Sequence, residues 1–151
     1  MRSLTRREAL VLGAVSATTI MVGARGSVQA APADAAVEIT KFTGGKIAET
    51  GRITIDLPEI AENGNSVPLS VVVDSPMTPD NYVTDILVVA EGNPWPGVAA
   101  FRLTPMSGRA EVATRIRLAG SQNVIVVAKT SNGGILTAQR QVKVTIGGCG
   151  G

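Results

Sequence analysis

From residue 52 onward, apolar and polar side chains alternate in short segments that are rich in β-branched residues. In one segment Val112, Ile116 and Leu118 fall on one side, and Arg115 falls on the other. Successive side chains of a β-strand point to opposite faces of the sheet, so this alternation is typical of a strand with one buried and one solvated face. A chain that repeats the pattern buries its apolar residues by building sheets.

The alternation predicts seven strands, separated by turns that are rich in Gly, Pro, Asn and Asp. The predicted strands are 52–57, 67–74, 82–90, 98–103, 110–118, 123–130 and 135–146. They favour an all-β fold, an immunoglobulin-like antiparallel β-sandwich, over a closed barrel, although the paired cysteines of antibody domains are missing. The preceding segment, 40–50, leaves a short helix, a strand and a partly ordered arm open.

The N-terminus has the parts of a signal peptide. Residues 1–7 are basic, residues 10–22 are apolar and uncharged, and residues 28–30 offer small side chains for cleavage. The apolar stretch is shorter than the roughly 17–25 residues that a membrane-spanning helix needs, so we expect no membrane anchor. Residues 1–30 are therefore predicted to be a removable export signal.

The paired arginines Arg6 and Arg7 resemble a twin-arginine signal, although Ala9 departs from the aromatic residue that is common there. This route predicts a bacterial protein that reaches the periplasm already folded. The mature chain is then divided into a β-sandwich domain over 31–146 and a glycine-rich arm over 147–151.

Charge argues against a nucleic-acid role for the mature chain. The predicted signal holds four arginines and one glutamate, which leaves 10 basic and 11 acidic side chains of the 14 and 12 in the whole sequence. The basic pI of the whole chain is thus largely a property of the signal, and not of a phosphate-binding surface. Aromatic residues make up only 3% of the chain, so there is little to stack against bases.

The mature charges are divided unevenly along the chain. Residues 31–96 contain 3 basic and 10 acidic side chains, whereas residues 97–151 contain 7 and 1. A basic half could attract anions or an acidic partner toward the C-terminus. The alternative, which we favour, is that sheet pairing intermixes the two halves and leaves each charge simply solvated.

Most enzyme constellations are excluded by what the sequence lacks. With no histidine and one cysteine, it cannot form a histidine-dependent triad, a thiolate zinc cluster or a CxxC pair. Some carboxylates lie at predicted strand ends and turns, where we expect solvated charges and not a metal site: Asp56, Glu59, Glu62, Asp74, Asp80, Asp85 and Glu91. We therefore predict no metal and no cofactor for this chain. The only tryptophan, Trp95, is either an exposed partner anchor or a packed loop residue.

The sole cysteine, Cys149, is the third residue from the C-terminus. Free cysteines are usually buried, but Gly147, Gly148, Gly150 and Gly151 offer no side chain to cover this thiol. These glycines predict a swinging arm, on which the cysteine reaches about 10 Å beyond the last strand. A thiolate forms a bond to sulfur without help from a cofactor. Cys149 is therefore the predicted site of covalent sulfur attachment. A disordered tail with an incidental cysteine, or a site for an intermolecular disulfide, stays open as the alternative.

The chain resembles the SoxY family, the sulfur carrier subunits of the bacterial sulfur-oxidising (Sox) system for thiosulfate. The likeness covers most of the mature chain, and the terminal Gly-Gly-Cys-Gly-Gly motif is its specific part. The matching segments are 93–101, 114–119, 142–145 and 147–151. The resemblance implies an immunoglobulin-like fold, a periplasmic location and a heterodimer with a SoxZ-like subunit.

The resemblance also implies a carrier that is not itself an enzyme. Cys149 is expected to receive thiosulfate, or another reduced sulfur species, oxidatively from a c-type cytochrome partner, SoxXA. The adduct is then expected to pass to SoxB, a metal-dependent hydrolase that releases sulfate, and to a sulfane dehydrogenase. Hemes and metals belong to these partners.

Two other classes stay open at this point. A C-terminal Gly-Gly can be activated to a thiocarboxylate, as in ubiquitin-like cytosolic sulfur carriers, although the export signal and the strand-rich chain oppose this. Alternatively, the protein is an exported immunoglobulin-like interaction module that dimerises through a disulfide at Cys149. The three classes differ in the atom that carries sulfur and in the fate of the thiol.

Overall fold

Nine strands and one α-helix make up the regular structure of residues 32–148, the part of the chain that the computed structural model describes, together with a 3-10 turn at Pro105–Ser107. The helix is α1 (Pro32–Thr43). The strands are β1 (Glu49–Thr50), β2 (Ile53–Asp56), β3 (Ile60–Asn63), β4 (Val67–Val73), β5 (Val83–Ala90), β6 (Gly97–Arg102), β7 (Ala110–Ile116), β8 (Gln122–Thr130) and β9 (Ile135–Ile146). The seven strands predicted from the alternation are confirmed as β2 and β4 to β9, with ends that differ by two residues at most.

The described strands form two sheets. The larger sheet has the order β1-β9-β8-β5-β6, and β3 pairs with the C-terminal end of β9. The smaller sheet has the order β2-β4-β7. Both β1 and β3 run parallel to β9, whereas the other pairs are antiparallel. The prediction of an immunoglobulin-like antiparallel β-sandwich is confirmed.

The main hydrophobic core contains buried side chains from both sheets. In β4 the side chains of Val67, Leu69, Val71 and Val73 are buried, and those between them are more exposed, as the period of two predicts. Full burial of such a side chain contributes about 1.5–3 kcal/mol to stability. The core thus fixes the register of the strands, because a slip by one residue would turn these side chains toward water.

Helix α1 packs against the other face of the larger sheet. The contacting residues are Ala35, Ile39 and Phe42 on the helix, and Leu87, Val89 and Ile125 on the sheet. Because β5 is covered on both faces here, it is buried continuously from Ile86 to Ala90 and does not alternate. Of the alternatives left open for residues 40–50, the structure shows the end of this helix and the two-residue strand β1.

The Gly44-Gly45 pair ends α1. Their φ angles are +65° and +78°, in the left-handed region that other L-residues adopt only at a cost. The N–H of Gly44 donates to the carbonyl oxygen of Thr40 at 2.9 Å and closes the last turn. Glycine is favoured at both positions because the backbone adopts positive φ angles where it leaves the helix.

The predicted signal peptide, residues 1–30, lies outside the described residues, and so do Cys149, Gly150 and Gly151. Within residues 32–148, no helix is long and apolar enough to cross a bilayer. The described chain ends at Gly148, one residue before the cysteine.

Candidate functional site at the base of the C-terminal tail

Strand β9 is held on both sides up to its last residues. On one side the N–H of Lys143 donates to the carbonyl oxygen of Glu59 at 2.9 Å, and the N–H of Gly64 donates to that of Ile146 at 2.7 Å. On the other side the N–H of Val144 donates to the Ser121 hydroxyl at 2.8 Å. The strand therefore delivers the C-terminal tail at a defined place, beside the turn that follows β3.

Beyond the strand, the backbone makes one more anchoring contact. The N–H of Gly148 donates to the carbonyl oxygen of Leu118 at 2.9 Å, and the N–H of Leu118 donates to that of Gly64 at 2.8 Å. Leu118 is fully buried, and Gly148 is buried as well. We call the backbone contacts among Gly64, Leu118, Ala119, Gly147 and Gly148 the glycine junction.

The glycine junction has no room for side chains at its three glycines. A Cβ on Gly64 would overlap the carbonyl oxygen of Leu118, and a Cβ on Gly147 would overlap that of Ala119. A Cβ on Gly148 would lie 2.8 Å from the carbonyl oxygen of Gly64, closer than real Cβ atoms come. Backbones approach this closely only where the side chain is a hydrogen atom.

A buried amide fixes the opposite side of Leu118. Asn93 has no exposed surface; its Nδ2 donates to the carbonyl oxygen of Arg117 at 2.8 Å, and its Oδ1 accepts from the N–H of Ala119 at 2.9 Å. Gln122 donates to the same Oδ1 at 2.9 Å and accepts from the N–H of Gly92 at 2.7 Å. Buried amides are costly unless they are bonded in this way, so the network fixes the backbone on which the tail rests.

Some of the predicted site residues lie within the described part of the chain, and the others lie outside it. Gly147 and Gly148 lie in the glycine junction, with Gly148 bonded to Leu118. Cys149, Gly150 and Gly151 lie outside the described residues, so sulfur attachment and the swing of the arm stay predictions. The described structure adds that the chain is anchored up to the residue before the cysteine.

The other candidate residues are placed at the surface. Among residues 32–148, no three Cys, Asp or Glu side chains come together in a group able to hold a metal ion. Two ion pairs join the acidic and basic halves of the chain, Asp85 with Arg102 at 3.6 Å and Glu59 with Arg140 at 3.9 Å. This intermixing favours solvated charges, and exposed pairs of this kind contribute little to stability.

Trp95 is 78% exposed, which favours a partner anchor over a packed loop residue. It borders a cavity of about 320 Å³, whose wall also includes Asn93 and Arg117. Because Asn93 also bonds to the segment that holds Gly148, the tryptophan loop and the base of the tail are structurally connected.

Sequence reasoning missed Gly64, Asn93 and Gln122. Gly64 and Asn93 lie between predicted strands, where the sequence indicates turns, and Gln122 begins a strand. One signal is available for Gly64, since a glycine beside a predicted strand can indicate either a positive φ or the close approach of another backbone. Choosing between the two requires the neighbour, which is far away in sequence.

A family model described as "Sulfur oxidation protein SoxY" matches residues 39–149. Among solved structures, the sulfur carrier protein SoxY from Chlorobium limicola f thiosulfatophilum is similar, with 34% sequence identity and a TM-score of 0.61. The match covers 76% of this chain and 98% of that chain. A comparison with curated proteins found no match.

Superoxide reductases share the fold. A variant of the superoxide reductase neelaredoxin from Ignicoccus hospitalis is 18% identical, with a TM-score of 0.59, over 66% of this chain and 96% of that chain. The enzyme from Nanoarchaeum equitans is 11% identical, with a TM-score of 0.51, over 64% of this chain and 100% of that chain. At these identities the likeness shows a shared fold alone and does not indicate that this chain has the activity of those enzymes.

Proposed function

Because the chain belongs to the SoxY family of sulfur oxidation proteins, we propose that it is a sulfur carrier that binds sulfur intermediates covalently on Cys149. The observation that carries this proposal is that the family match extends through the cysteine itself. The anchored backbone up to Gly148 supports it, since the residue before the cysteine is held at a defined place on the sandwich.

Loading of thiosulfate is an oxidation. The Cys149 thiol loses its proton, its sulfur bonds to the outer sulfur of thiosulfate, and two electrons leave to the c-type cytochrome partner, SoxXA. Water then attacks the terminal sulfonate group in the active site of the hydrolase partner, SoxB. Sulfate leaves with the water oxygen, two protons are released, and a persulfide anion remains on the cysteine. The carrier then presents that remaining sulfur to a sulfane dehydrogenase.

The chain's own part in these steps is attachment and presentation. In this proposal it supplies the thiol, a sandwich that holds the arm, and a surface for a SoxZ-like subunit and the transient enzymes. An exposed tryptophan is a frequent anchor of such contacts, and Trp95 is exposed. The proposed location is the periplasm, which the twin-arginine-type signal supports.

The test is intact-mass analysis of the mature chain during thiosulfate oxidation with its partners, before and after treatment with a reductant. We expect a reducible sulfur adduct on the native chain and none on Cys149→Ser, which keeps the size of the side chain but lacks the thiol. A bare thiol throughout turnover contradicts the proposal. Sulfur on the terminal carboxylate favours the thiocarboxylate class, and disulfide dimers without an adduct favour an interaction module.

A further inference from the structure

The structure gives Gly147 and Gly148, the first two glycines of the tail, a reason to be glycine other than flexibility. Glycine is favoured where φ is positive, and Gly44, Gly45, Gly51, Gly108 and Gly133 have such angles. The glycines of the junction do not have them. What they share instead is a backbone atom of another segment at the place of the missing Cβ.

From this geometry we infer that Gly64 is a positioning residue for the carrier cysteine, an inference that rests on the proposed function. Gly64 contacts the tail from the turn after β3. Its N–H holds Ile146, and its carbonyl oxygen accepts from Leu118, which in turn holds Gly148. A side chain at this position would overlap Leu118 and would lie 2.8 Å from the Gly148 nitrogen. Gly64 therefore decides whether the last anchoring contact of the tail can form.

The surface that receives the tail is held by buried hydrogen bonds. Leu118 is fully buried, and the peptide groups on both sides of it are bonded to Asn93, which is itself fully buried. A shift of Leu118 to accommodate a larger residue at position 64 would break these bonds. We therefore expect a larger residue at position 64 to displace the tail and not Leu118.

When Gly148 is bonded to Leu118, Cys149 follows the anchored residue directly in the chain, and one residue of chain spans about 3.3–3.6 Å. In this proposal the bond limits how far the thiol can reach, and its loss leaves the tail held only as far as Ile146.

The main experiment uses the mature chain with a nitroxide spin label on Cys149, which is a unique site because the chain has no other cysteine. We expect restricted label motion in the native chain and a shift to fast motion in Gly64→Ala. Gly120→Ala is the matched control, because a Cβ on Gly120 meets nothing within 4 Å. Its spectrum should equal that of the native chain. Equal spectra for the native chain and Gly64→Ala would overturn the inference.

A second measurement needs no variant and covers the case in which Gly64→Ala does not fold. Amide hydrogen exchange of the native chain should be slower at Gly148 than at Gly150, by about threefold to tenfold for one typical hydrogen bond. Equal intrinsic-corrected rates at the two amides would overturn the inference. Failure of the carrier function is seen separately, as the absence of a sulfur adduct on Cys149 in a chain whose Gly148 amide is still protected.

Discussion

Two of the Gly-Gly pairs in the described chain occupy positions that favour glycine for different physical reasons. Gly44 and Gly45 end α1 with positive φ angles and open space, since a Cβ on either would meet nothing within 4 Å. Gly147 and Gly148 need no positive φ, but backbone atoms occupy the place of their Cβ atoms. The first pair uses the conformational freedom of glycine and the second pair uses its small size, so identical dipeptides do not indicate identical mechanics.

The largest expected effect is at the crowded pair. Gly147→Ala places a Cβ on the carbonyl oxygen of Ala119, and the hydrogen bonds of Ile146 and Gly148 are lost as the tail moves away. We expect the free energy of unfolding to fall by about 1–3 kcal/mol, measured by urea denaturation. Gly147→Asn should cost at least as much, because the conformational tolerance of asparagine gives no extra space. A milder effect for asparagine than for alanine would contradict the steric reason.

A smaller effect is expected at the turning pair, with the opposite order of the two substitutions. Gly44→Ala should lower the free energy of unfolding by about 1 kcal/mol, because alanine adopts the left-handed region at a cost. Gly44→Asn should cost less, since asparagine tolerates that region better than other non-glycine residues do. Thermal unfolding of the two variants side by side measures the difference. If alanine were tolerated as well as asparagine, the conformational reason for this pair would be wrong.

The smallest effect is expected where neither reason holds. Gly120 has open space around its missing Cβ and no positive φ. Gly120→Ala should leave stability unchanged or raise it by up to about 1 kcal/mol, because alanine reduces the entropy of the unfolded chain. A clear loss of stability in chemical denaturation would show that a third requirement acts on glycines in this fold.

The sandwich could be predicted because its signal is local. In β4 and β7 the alternation of apolar and polar residues follows directly from which side chains face the core. Helix α1 was harder, since its apolar face at Ala35, Ile39 and Phe42 is short and is stabilised by packing on β5 and β8. The end of the helix at Gly44-Gly45 agrees with the sequence, because two consecutive glycines disfavour a longer regular element.

The candidate site was predictable only in part. Cys149 is conspicuous because its glycine neighbours offer no cover, and that context is visible in the sequence. The anchoring of the tail was not visible, because Gly64, Leu118 and Gly148 meet only after three distant segments have folded. Asn93 likewise precedes a proline and indicates a turn, whereas its buried amide bonds are long-range.

The contact of the tail with Leu118 also has a consequence for the order in which parts of the protein fold. Contacts between residues that are far apart in sequence form only after the intervening chain has been organised, and Gly148 leaves the ribosome after the segments that it contacts. The amide of Gly148 finds its acceptor only when the turn after β3 and the connection from β7 to β8 are already in position. The hydrogen bond of Gly148 therefore forms only in a chain that has completed its sandwich, and a chain with a misassembled sandwich lacks the acceptor that holds this residue.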